Sequence, residues 1–381
     1  MNKLLILTAA ACLVCPGRVI SAGAAQKEGN AMINIREFGA KGDGVADDTA
    51  AIQKAIDEAA KVKGTVFVPD GLYLSSTLKM HPLTGITGNP TWSFRSFGGP
   101  VIRLNDEKAS CLLDITDASG VTINGLCLDG AHIGKEIHGI MSDKKNFGKQ
   151  EDSHCIERCK IEGFTGDGIH LNRAWCFRIR SCMVSHNKGN GVWMRGWDAY
   201  IIDNWFSGNG KAGFGAYEEN ASVTMTSNRI EWNKEGGIVI CGPSWHYNIC
   251  SNYIDRSGGP GISLLSKNGK ICQDFVITGN IIYRSGKPDF RTLEKYESAG
   301  VRFDKTENLV FSGNSLQCNR DDNDTGEYSP DYAIVYSGLA NSIIKDNVMG
   351  ALKKLVVDLG GNGKNVIVKD NVGKLFVPDK E

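Results

Sequence analysis

The sequence predicts an all-β fold in which short strands coil into a parallel β-helix, and three observations support this prediction. An Asn ends a short strand repeatedly, at intervals of 24 to 34 residues. A second ladder, of small residues that each precede alternating apolar positions, runs in phase with the first. The segments alternate with a period of two, as strands do, and not with the period of a helix. A repeat of this length, built from short strands and Gly or Asn turns, is typical of a solenoid in which each repeat is one coil.

The two ladders extend from about residue 120 to about residue 372. The Asn ladder consists of Asn204, Asn228, Asn252, Asn280, Asn314, Asn347 and Asn371. The small-residue ladder consists of Gly139, Gly168, Gly191, Gly213, Gly237, Gly261, Gly300 and Ala333. Asn suits such positions because it tolerates left-handed backbone angles and its amide bonds to the copies in neighbouring coils. Leucine-rich repeats are excluded because Leu does not recur at fixed offsets, and ankyrin and tetratricopeptide repeats because they are helical.

Residues 25–80 are predicted to cap the first coil with a helix. A strand at Ile33 runs into a glycine-rich turn, after which Asp47-Asp48-Thr49 supplies a helix N-cap. Apolar residues follow at helical spacing, up to about residue 61, at Ala51, Ile52, Ala55, Ile56 and Ala59. The end of a β-helix is an open sheet edge, so a covering helix is needed there. Residues 81–381 are then predicted to form the coils of one elongated domain.

Residues 1–24 are predicted to be a secretory signal peptide. A short basic start precedes an apolar run too brief to span a bilayer, and Ala22-Gly23-Ala24 forms a small-x-small cleavage site. The expected location is therefore secreted or periplasmic, with no integral membrane segment after signal removal. A lipoprotein anchor at Cys12 or Cys15 is the alternative, although neither cysteine is well placed for it.

Composition narrows the expected partners and cofactors. The 381 residues carry 43 basic and 43 acidic side chains, a balance that gives no reason to expect a nucleic-acid partner. Most of the ten cysteines after the leader lie in or beside repeat strands, which predicts free thiols inside the coils. Beyond residue 24 no Cys-x-x-Cys motif occurs, so a metal site built on cysteine is not expected. We expect no cofactor; calcium suits clustered carboxylates, but no spaced Asp ladder supports it.

The segment from residue 34 to residue 56 resembles a known family. Asn34-Ile35-Arg36-Glu37-Phe38-Gly39-Ala40-Lys41-Gly42-Asp43-Gly44, followed by Asp47-Asp48-Thr49, is similar to the amino-terminal motif of the pectate-lyase-like (pectin-lyase) superfamily, in its pectate lyase, rhamnogalacturonase and epimerase-like group. That superfamily of right-handed β-helix proteins includes polysaccharide lyases, polygalacturonase-type hydrolases, uronan epimerases and phage tailspikes. The resemblance implies a right-handed coil and a polysaccharide or oligosaccharide partner, but it does not single out a reaction.

Two patterns of that superfamily are absent from this chain. The set of Asn-Thr-Asp, Gly-His-Gly and Arg-Ile-Lys that marks polygalacturonase-type members does not occur, and neither does the Asp-Pro-His-Asp of alginate epimerases. Both assignments are weakened by these departures. The acidic residues Asp43, Asp47 and Asp48 belong to the capping motif, so no catalytic role is carried over to them.

Strand alternation predicts which side chains face outward. If Ile169 and Leu171 point into the core, His170 and Asn172 point out. Applied to every opening strand, this rule gives two outward columns. The first column is Met141, His170, Trp193, Gly215, Val239, Ser263 and Arg302. The second column is Asp143, Asn172, Arg195, Tyr217, Cys241, Leu265 and Asp304.

Four successive coils, from Met141 to Tyr217, concentrate Asp, His, Asn, Trp, Arg and Tyr, which makes this cluster a candidate site. For β-elimination from a uronic acid, Asn172 and Arg195 are predicted to bind the carboxylate. His170 is predicted to remove the proton and Tyr217 to return one. Trp193 beside Gly215 is predicted to offer an aromatic platform with open space above it for a sugar. Asp143 is the remaining catalytic candidate.

Hydrolysis instead needs two carboxyl groups, about 6.5–9.5 Å apart for inversion. If Asp114 lies one coil before Met141, one coil rise and one two-residue step separate it from Asp143 by roughly 8 Å. Structural interpretations compete with each role. His170 is then a surface histidine, Trp193 covers a loop, and Arg195 and Asp143 bridge across Asn172. Asp167 and His138 fit ordinary turn chemistry.

The predicted function is a polysaccharide lyase acting on a uronic-acid-containing polymer. The alternatives are an inverting glycoside hydrolase on a plant or algal polysaccharide and a non-catalytic glycan-binding protein. Three polar insertions, at residues 144–153, 286–298 and 319–331, are expected to border the functional groove, because long solenoid loops usually do so.

Overall fold

A computed structural model describes residues 32–378, which form a right-handed parallel β-helix with one α-helix, as the sequence predicts. Each coil has three faces. A 22-stranded parallel sheet contains the first and second faces, and a 13-stranded sheet forms the third. The predicted signal peptide, residues 1–24, lies outside the described residues, so the signal, the anchor alternative and the location all stay predictions.

The strands of the first face carry the outward columns. They are Leu78–Lys79, Cys111–Asp114, His138–Asp143, Ala212–Ala216, Gly236–Cys241, Ile262–Leu265, Ala299–Asp304, Tyr332–Ser337 and Lys354–Asp358. Two long strands, Ile169–Arg180 and Val192–Ile202, continue through the corner into the second face. At that corner a Cβ on Gly196 would lie 1.7 Å from the carbonyl oxygen of Ala174, so only glycine fits there.

The second and third faces complete each coil. The other second-face strands are Met32–Asn34, Thr65–Phe67, Gly85–Thr87, Thr122–Asn124, Cys155–Glu157, Asn220–Thr226, Ser244–Cys250, Cys272–Thr278, Thr306–Ser312, Ser342–Lys345 and Val366–Lys369. The third-face strands are Asp43–Asp47, Gly71–Ser75, Pro100–Leu104, Cys127–Asp129, Lys160–Glu162, Met183–Ser185, Trp205–Ser207, Arg229–Glu231, Tyr253–Asp255, Ile281–Tyr283, Ser315–Gln317, Val348–Ala351 and Val372–Leu375. Short 3₁₀ turns occur at Ile35–Phe38 and Asp322–Asp324.

The α-helix Thr49–Val62 covers the first coil, as predicted. It packs against the strands Met32–Asn34, Thr65–Phe67 and Leu78–Lys79, with Ile52, Ala55, Ile56 and Ala59 fully buried. The residue predicted to cap the helix does so without a side-chain hydrogen bond to the first turn. Asp48 occupies the cap position, but its carboxylate accepts the backbone N–H groups of Lys41 and Gly42. The residue therefore fixes the glycine-rich turn instead of the helix end.

The strand register confirms the first predicted outward column and, in the second, the residues Asp143, Asn172 and Arg195. Met141, His170, Trp193, Gly215, Val239, Ser263 and Arg302 pair in succession along the first face. In the second column Asp143 pairs with Asn172, and Asn172 pairs with Arg195. Strand alternation was sufficient to find this register because Ile169 and Leu171 are both fully buried.

Both ladders predicted from the sequence hold the coils together. Each Asn of the series from Asn228 to Asn371 accepts a hydrogen bond from the side-chain amide of the preceding one, at 2.9–3.1 Å. A second Asn ladder that the sequence reading did not identify joins Asn187, Asn209 and Asn233. The small residues are explained by stacking: a Cβ on Gly237 would lie 2.5 Å from the carbonyl oxygen of Gly261.

The ten cysteines beyond residue 24 are free thiols, as predicted. All ten are unpaired and most are buried in the coil wall: Cys111, Cys127, Cys155, Cys159, Cys176, Cys182, Cys241, Cys250, Cys272 and Cys318. Over residues 32–378, none of the helical segments has the length and apolar character needed to span a bilayer.

Candidate active site

A pocket of about 690 Å³, here called the first-face pocket, lies along the corner where the chain enters the first face. Its walls are the turns before successive first-face strands, together with outward side chains of those strands. The turns supply Glu136, Thr165, Asp167, Lys188, Asn190 and Lys211, and the strands supply His138, Met141, Asp143 and Trp193. Two predicted site residues, Asp143 and Trp193, thus line the pocket directly.

His170 is held by a buried carboxylate. Asp167 is 6% exposed, and its Oδ2 lies 2.8 Å from His170 Nδ1. Its Oδ1 accepts hydrogen bonds from the backbone N–H and the side-chain Nδ2 of Asn190, at 2.7 and 2.8 Å. Burial alone would raise the pKa of Asp167, but the hydrogen bonds from His170 and Asn190 lower it below the ordinary value. An ionised carboxylate on Nδ1 keeps the proton there and leaves the Nε2 lone pair of His170 to act as a base.

His138 lies one coil before His170 and stays neutral. Its Nδ1 accepts the backbone N–H of Asp167 at 2.9 Å. Burial, followed by the neighbouring charge of His170, lowers the pKa of His138 to about 4. The neutral ring therefore carries its proton on Nε2 at pH 7. One histidine of the pair can donate a hydrogen bond while the other accepts a proton.

Four rings follow one another along the coils. The centroids of His138 and His170 are 4.4 Å apart, and His170 stacks on Trp193 at 4.3 Å with nearly parallel planes. Tyr217 follows 6.3 Å beyond Trp193. The expectation of open space above Trp193 is wrong, because a Cβ on Gly215 would meet the Tyr217 ring at 2.5 Å. With neighbours on both sides of its ring, Trp193 offers the pocket an edge and not a face.

Tyr217 connects to His170 through an amide. Its hydroxyl donates to Asn190 Oδ1 at 3.2 Å, and the Nδ2 of Asn190 donates to Asp167. Burial raises the pKa of Tyr217, so the phenol is neutral at pH 7. The structure therefore places Tyr217 behind the His170–Asp167 pair, with its hydroxyl on Asn190. Its predicted role as the acid stays a prediction.

Of the candidate residues in the second column, Asn172 and Asp143 are in contact, but Arg195 is not in contact with them. Asn172 Nδ2 donates to Asp143 Oδ1 at 2.7 Å, and Asn172 Oδ1 is buried without a hydrogen-bond partner among residues 32–378. Arg195 turns away from this pair, with its guanidinium 3.3 Å from both Glu218 and Glu219. The expected bridge from Arg195 to Asp143 across Asn172 is therefore wrong. Two carboxylates already compensate the Arg195 charge, which makes it less suited to bind a sugar carboxylate.

Two lysines supply positive charge that the sequence reading missed. Lys188 and Lys211 lie on successive turns, line the first-face pocket and are exposed. Neither forms an ion pair with another residue of the described part of the chain. Both are thus available to an anion bound in the pocket.

The structure also shows the surroundings of Asp114, the carboxylate that is paired with Asp143 in the hydrolytic alternative. Asp114 pairs with Met141, so the expected coil phase is confirmed. Its Oδ1, however, accepts the backbone N–H of Thr116 at 2.9 Å and so serves the following turn. The three polar insertions do not line the first-face pocket itself, but Lys144, Lys145 and Asn146 of the first insertion line a neighbouring cavity that shares Asp143 with it. That the insertions border the functional groove stays a prediction.

His138 and Asp167 fit ordinary turn chemistry, but the sequence also contains a pattern that could have marked them as site residues. His138, Asp167 and Asn190 each precede a ladder glycine, namely Gly139, Gly168 and Gly191. A third column at this position therefore carries polar residues in the same coils as the outward cluster. Turn chemistry explains each residue separately, but not their coincidence in neighbouring coils.

His138, Asp167 and His170 are the described residues that come close enough to hold a metal ion, with ligand atoms within 4.8 Å of one another. Hydrogen bonds account for this closeness, because the Asp167 amide donates to His138 and the Asp167 carboxylate bonds to His170. The expectation that no metal or cofactor is needed stays a prediction.

Comparisons with known proteins agree with this architecture. The sequence model of a family described as "Rhamnogalacturonase A/epimerase, pectate lyase-like" matches residues 32–263. A capsule-specific depolymerase of Klebsiella phage K5-2 is 28% identical over 53% of this chain and 26% of its own length. Mannuronan C5-epimerase AlgE2 of Azotobacter vinelandii is 26% identical over 66% of this chain and 25% of its own. The chain thus spans only about a quarter of these relatives.

Solved structures share the fold. The A-module of Azotobacter vinelandii mannuronan C-5 epimerase AlgE4 superposes with a TM-score of 0.67 and 19% identity, over 90% of this chain and 99% of that one. The enzymatically active domain of bacteriophage CBA120 tailspike protein 2 gives a TM-score of 0.66 and 15% identity, over 89% and 52%. At these identities the likeness concerns the coil and not the chemistry.

Proposed function

This chain belongs to the rhamnogalacturonase A/epimerase, pectate lyase-like family, and we propose that it is a polysaccharide lyase that cleaves a uronic-acid-containing polymer by β-elimination. The observation that carries the proposal is the buried Asp167 carboxylate, which lies 2.8 Å from His170 Nδ1 and lines a pocket together with two lysines that form no ion pair among residues 32–378. Its relatives include proteins named as a capsule depolymerase and as mannuronan C5-epimerases, which favours an acidic polysaccharide as substrate.

His170 acts as the base in this proposal. Its Nε2 takes the proton from C5 of a uronate residue, and Asp167 stabilises the imidazolium that results. The electron pair of the C5–H bond forms the C4=C5 double bond as the bond from C4 to the glycosidic oxygen breaks. Where C5–H and that oxygen lie on the same side of the ring, the His170 imidazolium can return the proton to the leaving oxygen. Tyr217 then contributes by fixing Asn190 and, through it, Asp167.

Lys188 and Lys211 provide the charge that the first step requires. A proton next to a carboxylate becomes more acidic when the carboxylate charge is neutralised, because the developing negative charge is then stabilised. The lysines come from successive turns, so they can bind carboxylates of neighbouring sugar residues. We therefore assign the carboxylate-binding role predicted for Arg195 to these lysines.

Epimerisation at C5 is the second candidate, favoured by the relatives named as mannuronan C5-epimerases. It begins with the same proton abstraction, and differs in that the proton returns to C5 from the other face. Hydrolysis by Asp114 and Asp143 is less well supported, because the Asp114 carboxylate already serves the turn at Thr116.

The proposal is tested by incubating the protein with acidic and neutral polysaccharides, and measuring ultraviolet absorbance and reducing ends in the same samples. Elimination predicts that both rise together on a uronan. His170→Ala should lower the rate by about 100-fold or more, because a positioned base contributes that much. His186→Ala, at a turn outside the pocket, is the matched control and should retain activity.

Reducing ends without absorbance would contradict elimination and favour hydrolysis at Asp114 and Asp143. If neither signal rises on any polymer, elimination and hydrolysis are both contradicted. Proton NMR of the polymer then separates C5 epimerisation, which gives neither signal, from non-catalytic glycan binding.

A further inference from the structure

The insertions at residues 286–298 and 319–331 form a second crevice, of about 460 Å³, that the first-face pocket does not include. We refer to it as the loop crevice. Three tyrosines line it, Tyr296, Tyr328 and Tyr332, together with the charged side chains of Glu294, Lys295 and Lys353. The combination of aromatic rings and exposed charges differs from the apolar packing beneath a purely structural loop.

The tyrosines are placed to contact a ligand. Tyr296 and Tyr332 pack against each other with ring centroids 5.3 Å apart, and Tyr328 packs on Phe376 at 5.0 Å. All three side chains are half-buried, and their hydroxyls form no hydrogen bond with another residue among 32–378. Lys295 Nζ also lies 5.0 Å from the centroid of the Tyr296 ring, and the Arg320 guanidinium lies 5.1 Å from that of Tyr328. These two rings therefore offer a ligand their edges and hydroxyls, which suit the hydroxyl groups of a sugar.

An ionic network holds the two insertions in place. Lys287 is fully buried, and its Nζ lies 3.2 Å from both Asp289 and Asp321 and 3.1 Å from the carbonyl oxygen of Glu327. Arg256 and Arg284 bind Asp322 at 2.6 and 2.8 Å from the coil beneath. A surface that is ordered in advance loses less conformational entropy when a ligand binds. This network therefore gives the loop crevice the rigidity of a built site.

The loop crevice and the first-face pocket lie on the same corner of the solenoid. Both are formed by segments that precede first-face strands. Five strand-to-strand steps separate Trp193 from Val335 in the coil of the crevice. At about 4.8 Å per step the two sites are roughly 24 Å apart along the axis. A single polysaccharide chain lying along this corner can reach both.

We propose that the loop crevice is a distal subsite that binds sugar residues of the same polysaccharide whose chain passes through the first-face pocket. The inference rests on the proposed function for the nature of the polymer. Its consequence is a preference for long chains: a polymer that spans both sites binds through two contacts, whereas a short oligosaccharide in the pocket gains nothing from the crevice.

The test is affinity electrophoresis of the full chain in gels that contain alginate, polygalacturonate or hyaluronate. The wild-type protein should be retarded in at least one gel. Tyr296→Ala and Tyr332→Ala should each weaken that retardation at least threefold. Tyr200→Ala, which removes an exposed tyrosine from the second face, is the matched control. Circular dichroism of each variant establishes that the coils remain folded.

A kinetic comparison separates binding at the crevice from effects on the pocket. On polymer, Tyr332→Ala should raise KM at least threefold with kcat unchanged, and on a tetrasaccharide it should leave both constants unchanged. Tyr332→Phe should retain the ring contact and most of the affinity. Retardation equal to wild type for both alanine variants would overturn the distal subsite and leave the proposed function intact. Absence of retardation for the wild-type protein in all three gels would overturn both.

Discussion

Buried histidines make the stability of this protein depend on pH. Burial lowers the pKa of His154 to about 4, and both ring nitrogens lack a hydrogen-bond partner within residues 32–378. The unfolded chain protonates a histidine near pH 6.5, so between pH 6.5 and 4 the unfolded state binds more protons. The neutral His154 therefore makes its full contribution to the free energy of unfolding above pH 6.5. That contribution is lost as the pH falls towards 4. His138 acts in the same direction.

We predict that His154→Leu reduces this acid sensitivity. Between pH 7 and 5 the variant should lose about 2 kcal/mol less unfolding free energy than the wild-type protein, because its unfolded chain no longer gains a proton at position 154. Urea denaturation at the two pH values measures the difference. His246→Asn, at an exposed position, is the control and should behave as wild type. Equal acid sensitivity of His154→Leu and wild type would refute the prediction.

At the residue scale, strand alternation predicts orientation well and partners poorly. It placed His170, Trp193, Asp143 and Asn172 on the outward face with the correct register. It did not predict that Arg195 binds Glu218 and Glu219, because that contact depends on how the chain turns after Ala216. Side-chain direction beyond Cβ is a tertiary property, which a period of two does not encode.

At the scale of the elements, the Asn ladder joins successive coils through buried side-chain hydrogen bonds, in addition to the strand pairs. Asn252 accepts the backbone N–H and side-chain Nδ2 of Asn228, and its own amide donates to Met225 and Asn280. These groups are buried, so an interruption leaves donors and acceptors unsatisfied in both neighbouring coils.

We expect Asn252→Ala to lower the free energy of unfolding by about 2–4 kcal/mol, since it strands at least one buried donor and removes several hydrogen bonds. Asn371→Ala, at the end of the ladder, is the matched comparison and should lower it by only about 1 kcal/mol. Urea unfolding monitored by circular dichroism gives both values. Equal losses at the two positions would show that the ladder does not act through its buried interior.

Elements with a repeating signal were predictable, and those that depend on one contact were not. The ladders revealed the coils, and the apolar stripe located the helix that the structure has at Thr49–Val62. The cap position was also predictable, but its hydrogen bonds were not, because the Asp48 carboxylate accepts the amides of Lys41 and Gly42. The sequence likewise located the insertions at residues 286–298 and 319–331 but not their contacts, because the ionic network around Lys287 that packs them over coils beyond the first-face pocket has no repeating signal.

At the scale of the whole molecule, the coils of the solenoid place equivalent positions of the repeat in a row parallel to its axis. The turns before first-face strands present Asp167, Lys188 and Lys211 in successive coils, and the loop crevice continues the same corner. The fold fixes the spacing between these positions, while the side chains fix the chemistry. The family and the coil were therefore accessible from the sequence, whereas the reaction depends on the contacts of His170.

The central claim is that the His170–Asp167 pair removes the C5 proton of a uronate. The most direct test is proton NMR of a uronan incubated in D₂O with the wild-type protein or with Asp167→Asn, after circular dichroism has shown that the variant is folded. We predict that the wild-type protein produces a 4,5-unsaturated chain end or deuterium at C5, and that Asp167→Asn slows this by at least about 100-fold, because the tautomer of His170 is no longer fixed. Chain cleavage with the C5 proton intact, or undiminished activity of a folded Asp167→Asn, would contradict the account.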